Sequence, residues 1–501
     1  METQAIRFYY QSKVHEVQDA PTTRTVLQHL RENLHQTGTK EGCAEGDCGA
    51  CTIMVAELNA NNELEMRAVN ACIQLLPSLD GKAIFTVEDL AGENNALHPV
   101  QQAMLEKHGS QCGFCTPGFI MSMWGLYLKH QHADHPPTRS EINEALSGNL
   151  CRCTGYRPII EACEAMFSLP KAEFKKGELK AKLESLQRED TFSYQHERQL
   201  FHAPQSLDAL AKLYEQYPEA RILAGCTDIG LWVTRQFREL NHLIYIGRVK
   251  ELKAHYVEND QLYIGSGVLL NQAFTALIEH FPDFHELHQR FASYPIRNAG
   301  TLGGNIANGS PIGDSMPALI TLGTEIVLRK GDQVRSLPLE DFYLGYQQKD
   351  LQPGEFVQGI RIPLSSKART FRTYKLSKRF DQDISAVCAA FALELDEQNL
   401  VKTIRIAYGG MAATPLRARH AEAALQGKAW NAEQIALAQE ALSQDYQPLS
   451  DMRASNDYRA LSARNLLKRF YLQTNPQQPL GEDQLNVFKV AKYSREEAHH
   501  E

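Results

Sequence analysis

The spacing of hydrophobic positions divides the chain into regions of different secondary structure. Near the N-terminus, Ile6, Phe8 and Tyr10 alternate with polar neighbours, a pattern typical of a half-buried strand. Further strand-like runs follow at 52–58, 66–71 and 83–87. Since only one helical segment lies among them, residues 1–88 are predicted to form a small β-rich domain.

Apolar positions recur at helical spacing over residues 89–168. Pro99 opens one predicted helix, because proline is well suited to the first helical turn. An apolar segment at 119–128 predicts a second helix, Ser140 is expected to begin a third, and Ile159 lies in a fourth. This region is therefore predicted to be a helical domain.

Residues 169–192 are predicted to be a charged linker. Eleven of the twenty residues at 171–190 are charged, which is more typical of a solvated connection or an exposed helix than of a binding site. Beyond the linker, short strands and helices alternate with glycine-rich turns over 193–365. Residues 366–490 contain strands followed by helices, and 491–501 form a tail. The pattern as a whole predicts a multidomain α+β protein.

Composition and charge exclude several classes of protein. With 43% hydrophobic and 22% charged residues, the chain has the composition of an ordinary globular protein. No window approaches about eighteen consecutive apolar residues, so neither a membrane-spanning helix nor a membrane partner is expected. The N-terminal Met-Glu-Thr-Gln lacks the basic and apolar regions of a signal peptide, which favours a cytoplasmic location. The net charge of −8 argues against nucleic acid as the main partner.

The cysteines are concentrated in the first third of the chain, where nine of the eleven occur. In a cytoplasmic protein, clustered cysteines indicate metal binding more often than disulfides. Cys43, Cys48 and Cys51, followed at a distance by Cys72, have the C-x4-C-x2-C spacing of plant-type [2Fe–2S] ferredoxins. Interleaved glycines allow the loop to fold closely around a cluster. Zinc and a group of buried core cysteines are the alternatives, although zinc sites usually combine two close cysteine pairs.

A second set of cysteines consists of two close pairs, Cys112 with Cys115 and Cys151 with Cys153. Taken alone, this set is compatible with zinc, but the single residue between Cys151 and Cys153 is short for a zinc pair. Its occurrence beside a ferredoxin-type motif favours a second [2Fe–2S] site. The remaining three cysteines are predicted to be structural: Cys163, Cys226 and Cys388.

Two glycine-bearing turns interrupt the region 193–365, one at 223–230 and one at 301–314. Paired glycines allow backbone amides to approach a phosphate, and neighbouring Ser, Thr and Asn side chains add donors. Neither turn matches the dinucleotide-binding fingerprint, and the chain has no Walker motif. The residues alone therefore favour ordinary tight turns over a phosphate site.

Three segments together resemble the iron–sulfur domains of the molybdenum hydroxylase family: EGCAEGDCGAC at 41–51, QCGFCTPG at 111–118 and GNLCRCTGYRP at 148–158. The resemblance implies a β-grasp [2Fe–2S] ferredoxin domain at 1–88 and a four-helix [2Fe–2S] domain at 89–168. It assigns one cluster to Cys43, Cys48, Cys51 and Cys72. It assigns the other cluster to Cys112, Cys115, Cys151 and Cys153.

The segments AGCTDIG at 224–230 and TLGGNIANGSPIGDSMP at 301–317 are similar to FAD-binding segments of the same family. This resemblance implies an FAD-binding domain of the PCMH/VAO type at 193–365 and a C-terminal α+β flavoprotein domain at 366–490. The implied FAD-binding residues are Leu223, Ala224, Gly225, Cys226, Thr227, Asp228, Ile229, Gly230, Phe291, Thr301, Leu302, Gly303, Gly304, Asn305, Asp314, Val357 and Lys375. Tyr346 falls where the family places an aromatic residue near the nicotinamide entry, and no NAD+ contact is carried over to Gln382.

The order of two iron–sulfur domains followed by an FAD domain is similar to that in the xanthine dehydrogenases and aldehyde oxidases of this family. Their large molybdopterin-binding part, which holds the catalytic substrate site, has no room in 501 residues and is expected on a partner subunit. The resemblance therefore implies an electron-transfer subunit of the xanthine dehydrogenase type. Such a subunit passes electrons from molybdenum on the partner through two [2Fe–2S] clusters and FAD to NAD+, as hypoxanthine and xanthine are oxidised to urate. A heterodimer or an α2β2 heterotetramer is expected.

Alternatives to this function stay open. The partner could oxidise aldehydes or N-heterocycles instead of purines, since electron-transfer domains carry little information about the substrate. The acceptor could be oxygen or another molecule instead of NAD+. A non-enzymatic redox sensor or a zinc-stabilised adaptor is the alternative of a different class.

Overall fold

The computed structural model describes residues 3–92, 96–380 and 382–485. The predicted tail 491–501 and the last residues of the predicted domain 366–490 lie outside the described residues. Sheets and helices are combined in successive units along the chain, which confirms the multidomain α+β class. Within the described ranges, no helix has both the length and the apolar content needed to cross a membrane.

The N-terminal residues form a five-stranded sheet. Its elements are β1 (Ile6–Tyr10), β2 (Lys13–Val17), α1 (Val26–Gln28), β3 (Thr52–Leu58), β4 (Leu64–Asn70) and β5 (Ala83–Phe85). The strand order is β2-β1-β5-β3-β4, with β1 parallel to β5. Ile6, Phe8 and Tyr10 alternate inward along β1 and are buried, as predicted. Thr25 caps α1 in a capping box with Gln28.

Four helices follow and pack around a core that contains Phe119, Trp124 and Cys163. They are α2 (Pro99–Glu106), α3 (Thr116–His130), α4 (Arg139–Leu146) and α5 (Arg157–Ala165). The third helix begins before the predicted Ser140, because Thr138 caps it in a capping box. The burial of Cys163 confirms that this cysteine is part of the core.

The charged segment 169–192 contains a further helix, α6 (Lys176–Leu186), which contacts β1 and β3. Leu179, Leu183 and Leu186 are buried on one side of it. The expectation of a solvated connection or exposed helix is therefore wrong for this side. The three leucines are spaced i, i+4 and i+7 and form a narrow apolar stripe on one side of the helix. The prediction missed this stripe because charged residues outnumber the leucines in the segment.

The next unit begins with a small four-stranded sheet. Its elements are β6 (Phe192–His196), β7 (Gln199–Ala203), α7 (Leu207–Gln216), β8 (Arg221–Leu223), α8 (Ile229–Thr234) and β9 (His242–Tyr245). The order is β6-β7-β9-β8, and β7, β9 and β8 run parallel. Because parallel strands end at the same edge, the turn that follows β8 lies at the carboxyl edge of this sheet, where open α/β sheets commonly bind ligands.

A second sheet of five antiparallel strands completes this unit, in the order β10-β11-β16-β12-β13. The elements are β10 (His255–Glu258), β11 (Gln261–Gly265), α9 (Leu270–His280), α10 (Phe284–Arg290), α11 (Tyr294–Arg297), α12 (Leu302–Asn308), α13 (Ser315–Thr321), β12 (Glu325–Lys330), β13 (Gln333–Pro338), β14 (Tyr343–Gly345), β15 (Gln348–Lys349) and β16 (Phe356–Pro363). Buried residues of this sheet and of α9, α12 and α13 form one continuous core.

The C-terminal unit is an antiparallel sheet of order β17-β18-β19-β20 followed by helices, as predicted. Its elements are β17 (Thr370–Leu376), β18 (Val387–Leu395), β19 (Val401–Gly409), β20 (Leu416–Arg417), α14 (Arg419–Leu425), α15 (Ala432–Asp445), α16 (Asn456–Thr474) and α17 (Glu482–Leu485). The sheet packs against α14, α15 and α16 around one hydrophobic core. In this core the rings of Phe391 and Phe470 stack on each other. Cys388 is buried in β18, in agreement with its predicted structural role.

Candidate iron–sulfur and flavin sites

The first cysteine set is gathered at one end of the N-terminal sheet. Cys43, Cys48 and Cys51 lie in the loop before β3, and Cys72 follows β4, the hydrogen-bonded neighbour of β3. The thiol of Cys43 interacts with those of Cys48 and Cys72, and the thiol of Cys51 interacts with that of Cys72. The four predicted ligands of the first cluster are thus brought together. All eleven cysteines lie in the described ranges, and none forms a disulfide.

The first cysteine loop holds sulfur atoms close to backbone amides. The N–H groups of Asp47 and Cys48 donate to Cys43 Sγ at 3.4 and 3.3 Å. A Cβ at Gly42 would lie 2.8 Å from Cys48 Sγ, so a side chain there would displace the sulfur. A hydrogen bond from the Cys48 thiol, aided by the one from Cys72, lowers the pKa of the Cys43 thiol. Such donors stabilise a thiolate, the form in which cysteine binds metals.

The second cysteine set lies at the N-terminal ends of two helices, with Cys112 and Cys115 before α3 and Cys151 and Cys153 before α5. Cys115 interacts with Cys151, and Cys112 interacts with Cys153. Thr154 Oγ1 donates to Cys151 Sγ at 3.2 Å. Cys112 and Cys153 are exposed, so one edge of the set faces solvent. The four predicted ligands of the second cluster are therefore also brought together, as two pairs.

The loops of the two cysteine sets are hydrogen-bonded to each other. Leu150 N–H donates to Cys48 O at 3.0 Å, and Asn149 Nδ2 donates to Gly49 O at 3.1 Å. A side chain at Gly118 would overlap Gly49 O, so this glycine is needed for the close approach. The predicted cluster sites consequently belong to one continuous packed structure.

The two glycine-bearing turns lie against each other at the carboxyl edge of the small sheet. Residues 223–230 comprise the end of β8, a loop and the start of α8. A Cβ at Gly225 would overlap Ala299 O, and one at Gly303 would overlap Ser266. Gly225 is therefore required for the first turn to pack on the residues before the second turn, and Gly303 for the start of α12 to pack on the residue that follows β11, in addition to any role in admitting a phosphate.

The second turn leads into α12, whose N-terminal residues are predicted FAD contacts. Thr301 Oγ1 accepts a hydrogen bond from Gly304 N at 2.9 Å and caps the helix. Asn305 Oδ1 accepts a hydrogen bond from Ser315 Oγ at 2.5 Å. This contact joins α12 to the segment that carries Asp314, so the structure links these two predicted contact regions.

A buried ion pair joins Asp314 to Lys375. Lys375 Nζ lies 2.7 Å from Asp314 Oδ2, and the two side chains are only 2% (Lys) and 7% (Asp) exposed. Ser385 Oγ donates to Asp314 Oδ1 at 2.6 Å. The remaining two predicted flavin-pocket residues, Phe291 and Val357, lie together in the apolar core of the same unit. The charged and apolar candidates therefore occupy one region, between the second sheet and the C-terminal unit.

The first cysteine loop also contacts α8, the helix that begins in the first glycine-bearing turn. Thr234 Oγ1 at the end of α8 donates to Ala44 O at 2.6 Å. Arg235 Nε lies 3.0 Å from Glu45 Oε2. The helix that starts in the predicted FAD turn is thus bonded to the loop that carries Cys43.

Four family models match successive parts of the chain. They describe a 2Fe-2S iron–sulfur cluster binding domain at residues 8–76, a [2Fe-2S] binding domain at 86–164, an FAD binding domain in molybdopterin dehydrogenase at 192–365, and a CO dehydrogenase flavoprotein C-terminal domain at 372–474. The first two matches contain the two cysteine sets, and the third contains both glycine-bearing turns.

Relatives with these domains share sequence with most of the chain. Xanthine dehydrogenase of Emericella nidulans is 32% identical over 84% of this chain and 35% of its own length. Xanthine dehydrogenase 1 of Arabidopsis thaliana is 32% identical over 81% of this chain and 35% of its own length. The chain belongs to the molybdenum hydroxylase family. Aldehyde oxidase 1 of Rattus norvegicus is 31% identical over 82% of this chain and 35% of its own length, so the chain spans about a third of these relatives.

Solved structures share the fold of about half of this chain. Carbon monoxide dehydrogenase from Hydrogenophaga pseudoflava matches with a TM-score of 0.51 and 30% identity, over 54% of this chain and 94% of that chain. Quinoline 2-oxidoreductase from Pseudomonas putida 86 matches with a TM-score of 0.50 and 26% identity over the same fractions. This molybdenum hydroxylase chain thus contains two 2Fe-2S domains and an FAD-binding domain.

The family models that contain the two cysteine sets describe [2Fe-2S] sites, not zinc sites. A tetrahedral zinc site requires four ligands around a single ion. The cysteines of the first set interact in a continuous series and those of the second set in two pairs. A [2Fe–2S] cluster is held by four cysteine thiolates spread over two irons.

A cavity that no sequence motif marks lies between the ferredoxin sheet and the glycine-bearing turns of this molybdenum hydroxylase. It has a volume of about 170 Å³ and is partly open to solvent. Glu57 lines it beside Arg67, Lys82 and Lys253. Burial alone would raise the pKa of Glu57, but the three cations hold it well below its usual value. These charges come from separate elements, so only the fold assembles them.

Proposed function

We propose that this chain is the electron-transfer subunit of a xanthine dehydrogenase, passing electrons from a molybdenum centre on a partner through two [2Fe–2S] clusters and FAD to NAD+. The reaction served is the oxidation of hypoxanthine and xanthine to urate. Similarity to fungal and plant xanthine dehydrogenases over more than four fifths of this chain supports the assignment. We assign the part of those relatives that this chain does not match to a molybdopterin-binding large subunit, in a heterodimer or α2β2 heterotetramer.

The observation that carries the proposal is the serial contact of the three candidate sites. The exposed Cys112/Cys153 edge is available to a partner. The loop carrying Cys151 is bonded to the loop carrying Cys48, and the latter loop is bonded to α8, which starts in the predicted FAD turn. A chain of contacts in this order is what stepwise electron transfer between a partner and a flavin requires.

The two cysteine sets fit the two clusters, and the glycine-bearing turns with Asp314 and Lys375 fit FAD. Bound clusters supply one-electron transfer, and bound FAD connects such transfers to the two-electron chemistry of NAD+. The contribution of the chain is to position and tune these groups. The amides of Asp47 and Cys48 direct hydrogen bonds at Cys43 Sγ, which stabilises negative charge on the sulfur. No residue of this chain is proposed to act on the purine.

A molybdenum hydroxylase for aldehydes or N-heterocycles is the second candidate. The 31% identity to rat aldehyde oxidase 1 is nearly equal to the 32% identity to xanthine dehydrogenases. The structural match to quinoline 2-oxidoreductase supports the same alternative. The electron-transfer domains therefore favour the family strongly and the purine substrate only weakly.

The proposed function is tested by activity with and without a partner. The purified chain should be brown, absorb as flavin plus iron–sulfur, and oxidise NADH with an artificial dye as acceptor. It should turn over xanthine only together with a molybdopterin-bearing chain that co-purifies with it. Xanthine turnover by this chain alone would disprove the placement of the substrate site on a partner subunit. A colourless, zinc-containing protein would disprove the cofactor assignment. Turnover of an aldehyde but not of xanthine by the complex would establish the second candidate.

The ligand assignment has a spectroscopic test. Cys43→Ser should remove one of two [2Fe–2S] signals from the low-temperature EPR spectrum of the reduced protein and leave the other. Cys163→Ala is the matched control, because Cys163 is a buried core cysteine of the helical domain and is not among the predicted ligands of either cluster. Retention of both signals in Cys43→Ser would contradict the assignment.

A further inference from the structure

The loop between α4 and α5 is contacted by three parts of the molecule. We call residues 147–149 the junction loop. Tyr294 N–H, from the flavin-containing unit, donates to Ser147 Oγ at 3.1 Å. A Cβ at Gly148, whose φ is 92°, would lie 2.6 Å from Ser293 Cβ. Asn149, from the same loop, bonds to the ferredoxin domain. The junction loop is therefore held by the helical, ferredoxin and flavin-containing units at once.

Within the junction loop, Asn149 has a buried side chain that makes three hydrogen bonds. Its side chain is buried, with 4% exposed. Its amide group donates to Gly49 O at 3.1 Å and to Thr52 Oγ1 at 3.2 Å, while its oxygen accepts from Ser122 Oγ at 2.6 Å. Since Ser122 lies on α3 and the other two partners lie in the ferredoxin domain, one side chain connects the two domains.

The position of Asn149 makes these bonds relevant to both cysteine sets. It precedes Cys151 by two residues, and its partner Gly49 follows Cys48 directly. A Cβ at Gly49 would lie 2.6 Å from Asn149 Nδ2, which shows how closely the two loops approach. Loss of the side-chain bonds would remove one constraint on this approach, while the bond from Leu150 N–H to Cys48 O and all eight cysteines stay in place.

We propose that Asn149 is a positioning residue that fixes the separation of the two cluster sites, with Ser122 orienting its amide. The inference rests on the proposed function, because it concerns the electron-transfer step between the two clusters. Electron transfer and magnetic coupling between two paramagnetic centres both decrease steeply with distance. A site held by buried hydrogen bonds keeps its geometry better than one held by apolar contact alone. Asn149 thus acts on the transfer step without touching either cluster's iron ligands.

The test is the magnetic splitting between the two reduced clusters in low-temperature EPR of the full-length protein. Asn149→Ala should retain both cluster signals at full spin count and lose the splitting, with slower transfer between the clusters. Ser122→Ala should weaken the splitting, because the amide of Asn149 loses its orienting donor. Asn298→Ala is the matched control, since Asn298 is a buried amide that also bonds across to the ferredoxin domain, to Ala68 O at 3.1 Å, away from both cysteine loops.

The outcomes separate this inference from the proposed function. A wild-type protein without iron–sulfur signals overturns both. Two intact clusters whose splitting is unchanged in Asn149→Ala overturn the positioning role alone. If Asn149→Ala does not accumulate both clusters, Ser122→Ala decides, because it keeps the Asn149 side chain: an unchanged splitting there overturns the inference. An equal loss of splitting in Asn298→Ala would also overturn it, by showing a general effect of domain contacts.

Discussion

Removal of the Lys375 ammonium group should destabilise the flavin-containing part of the chain and reduce its FAD content. In Lys375→Met, the Asp314 carboxylate would stay buried with Ser385 as its remaining side-chain donor. Breaking a buried ion pair by removing one partner costs about 3–5 kcal/mol, because the other charge is left uncompensated. The loss of folding free energy should therefore be a large part of the stability of one domain.

The assay is urea unfolding followed by flavin fluorescence at pH 7, with bound FAD measured after desalting. Free energies follow from the midpoint and slope of each transition. The double variant Asp314→Asn/Lys375→Met removes both charges and should be more stable than Lys375→Met alone, which gives the coupling energy of the pair. A double variant no more stable than the single one would refute the electrostatic reasoning.

Three further predictions concern other contacts. Leu183→Ala should lower the unfolding free energy by about 2–5 kcal/mol, because Leu183 is fully buried under the charged helix α6; thermal unfolding measures this. Gly303→Ala should lose FAD, because the added Cβ would overlap Ser266 and displace the start of α12. Burial lowers the pKa of His202 to about 4. The unfolded chain therefore binds one more proton than the folded chain as the pH falls from about 6.5 to about 4, which removes up to about 3 kcal/mol of stability; His202→Gln should flatten this dependence in urea unfolding.

Each of these variants has a matched control on the same chain. Lys182 is exposed on α6 beside Leu183. The variant Lys182→Ala should therefore change the unfolding free energy by no more than about 0.5 kcal/mol. Gly177→Ala adds a Cβ with no atom within 4 Å and should keep FAD. His132→Gln removes an exposed histidine and should leave the acid dependence unchanged. A control that behaves like its test variant would contradict the corresponding explanation.

Much of the candidate site could be predicted because its chemistry is encoded in short segments. The cysteine spacings at 43–51 and 151–153 indicate thiolate sites without reference to the rest of the fold, and the family models contain both. From the residues alone, the two glycine-bearing turns were predicted to be ordinary tight turns, and only the family resemblance favoured FAD. Packing also constrains both turns, because a Cβ at Gly225 would overlap Ala299 O and one at Gly303 would overlap Ser266.

Other features could not be predicted, because they depend on residues far apart in sequence. Leu179, Leu183 and Leu186 follow a helical stripe, but charged neighbours dominated the composition of their segment. Glu57 and its three cations lie on separate elements and carry no motif. The spacing of residues within a segment predicts only the geometry of that segment. A buried cluster of charges from separate segments has no such spacing and therefore cannot be predicted from it.

The amino-acid sequence by itself indicated the iron–sulfur chemistry, since thiol spacing is a property of contiguous segments. It also determined the order of the domains along the chain. Only the tertiary structure decided which of these segments touch: the Cys151 loop lies on the Cys48 loop, and α8 lies on the Cys43 loop. The physical reason is that such contacts are fixed by packing and by buried hydrogen bonds between domains, such as those of Asn149, which no local spacing encodes.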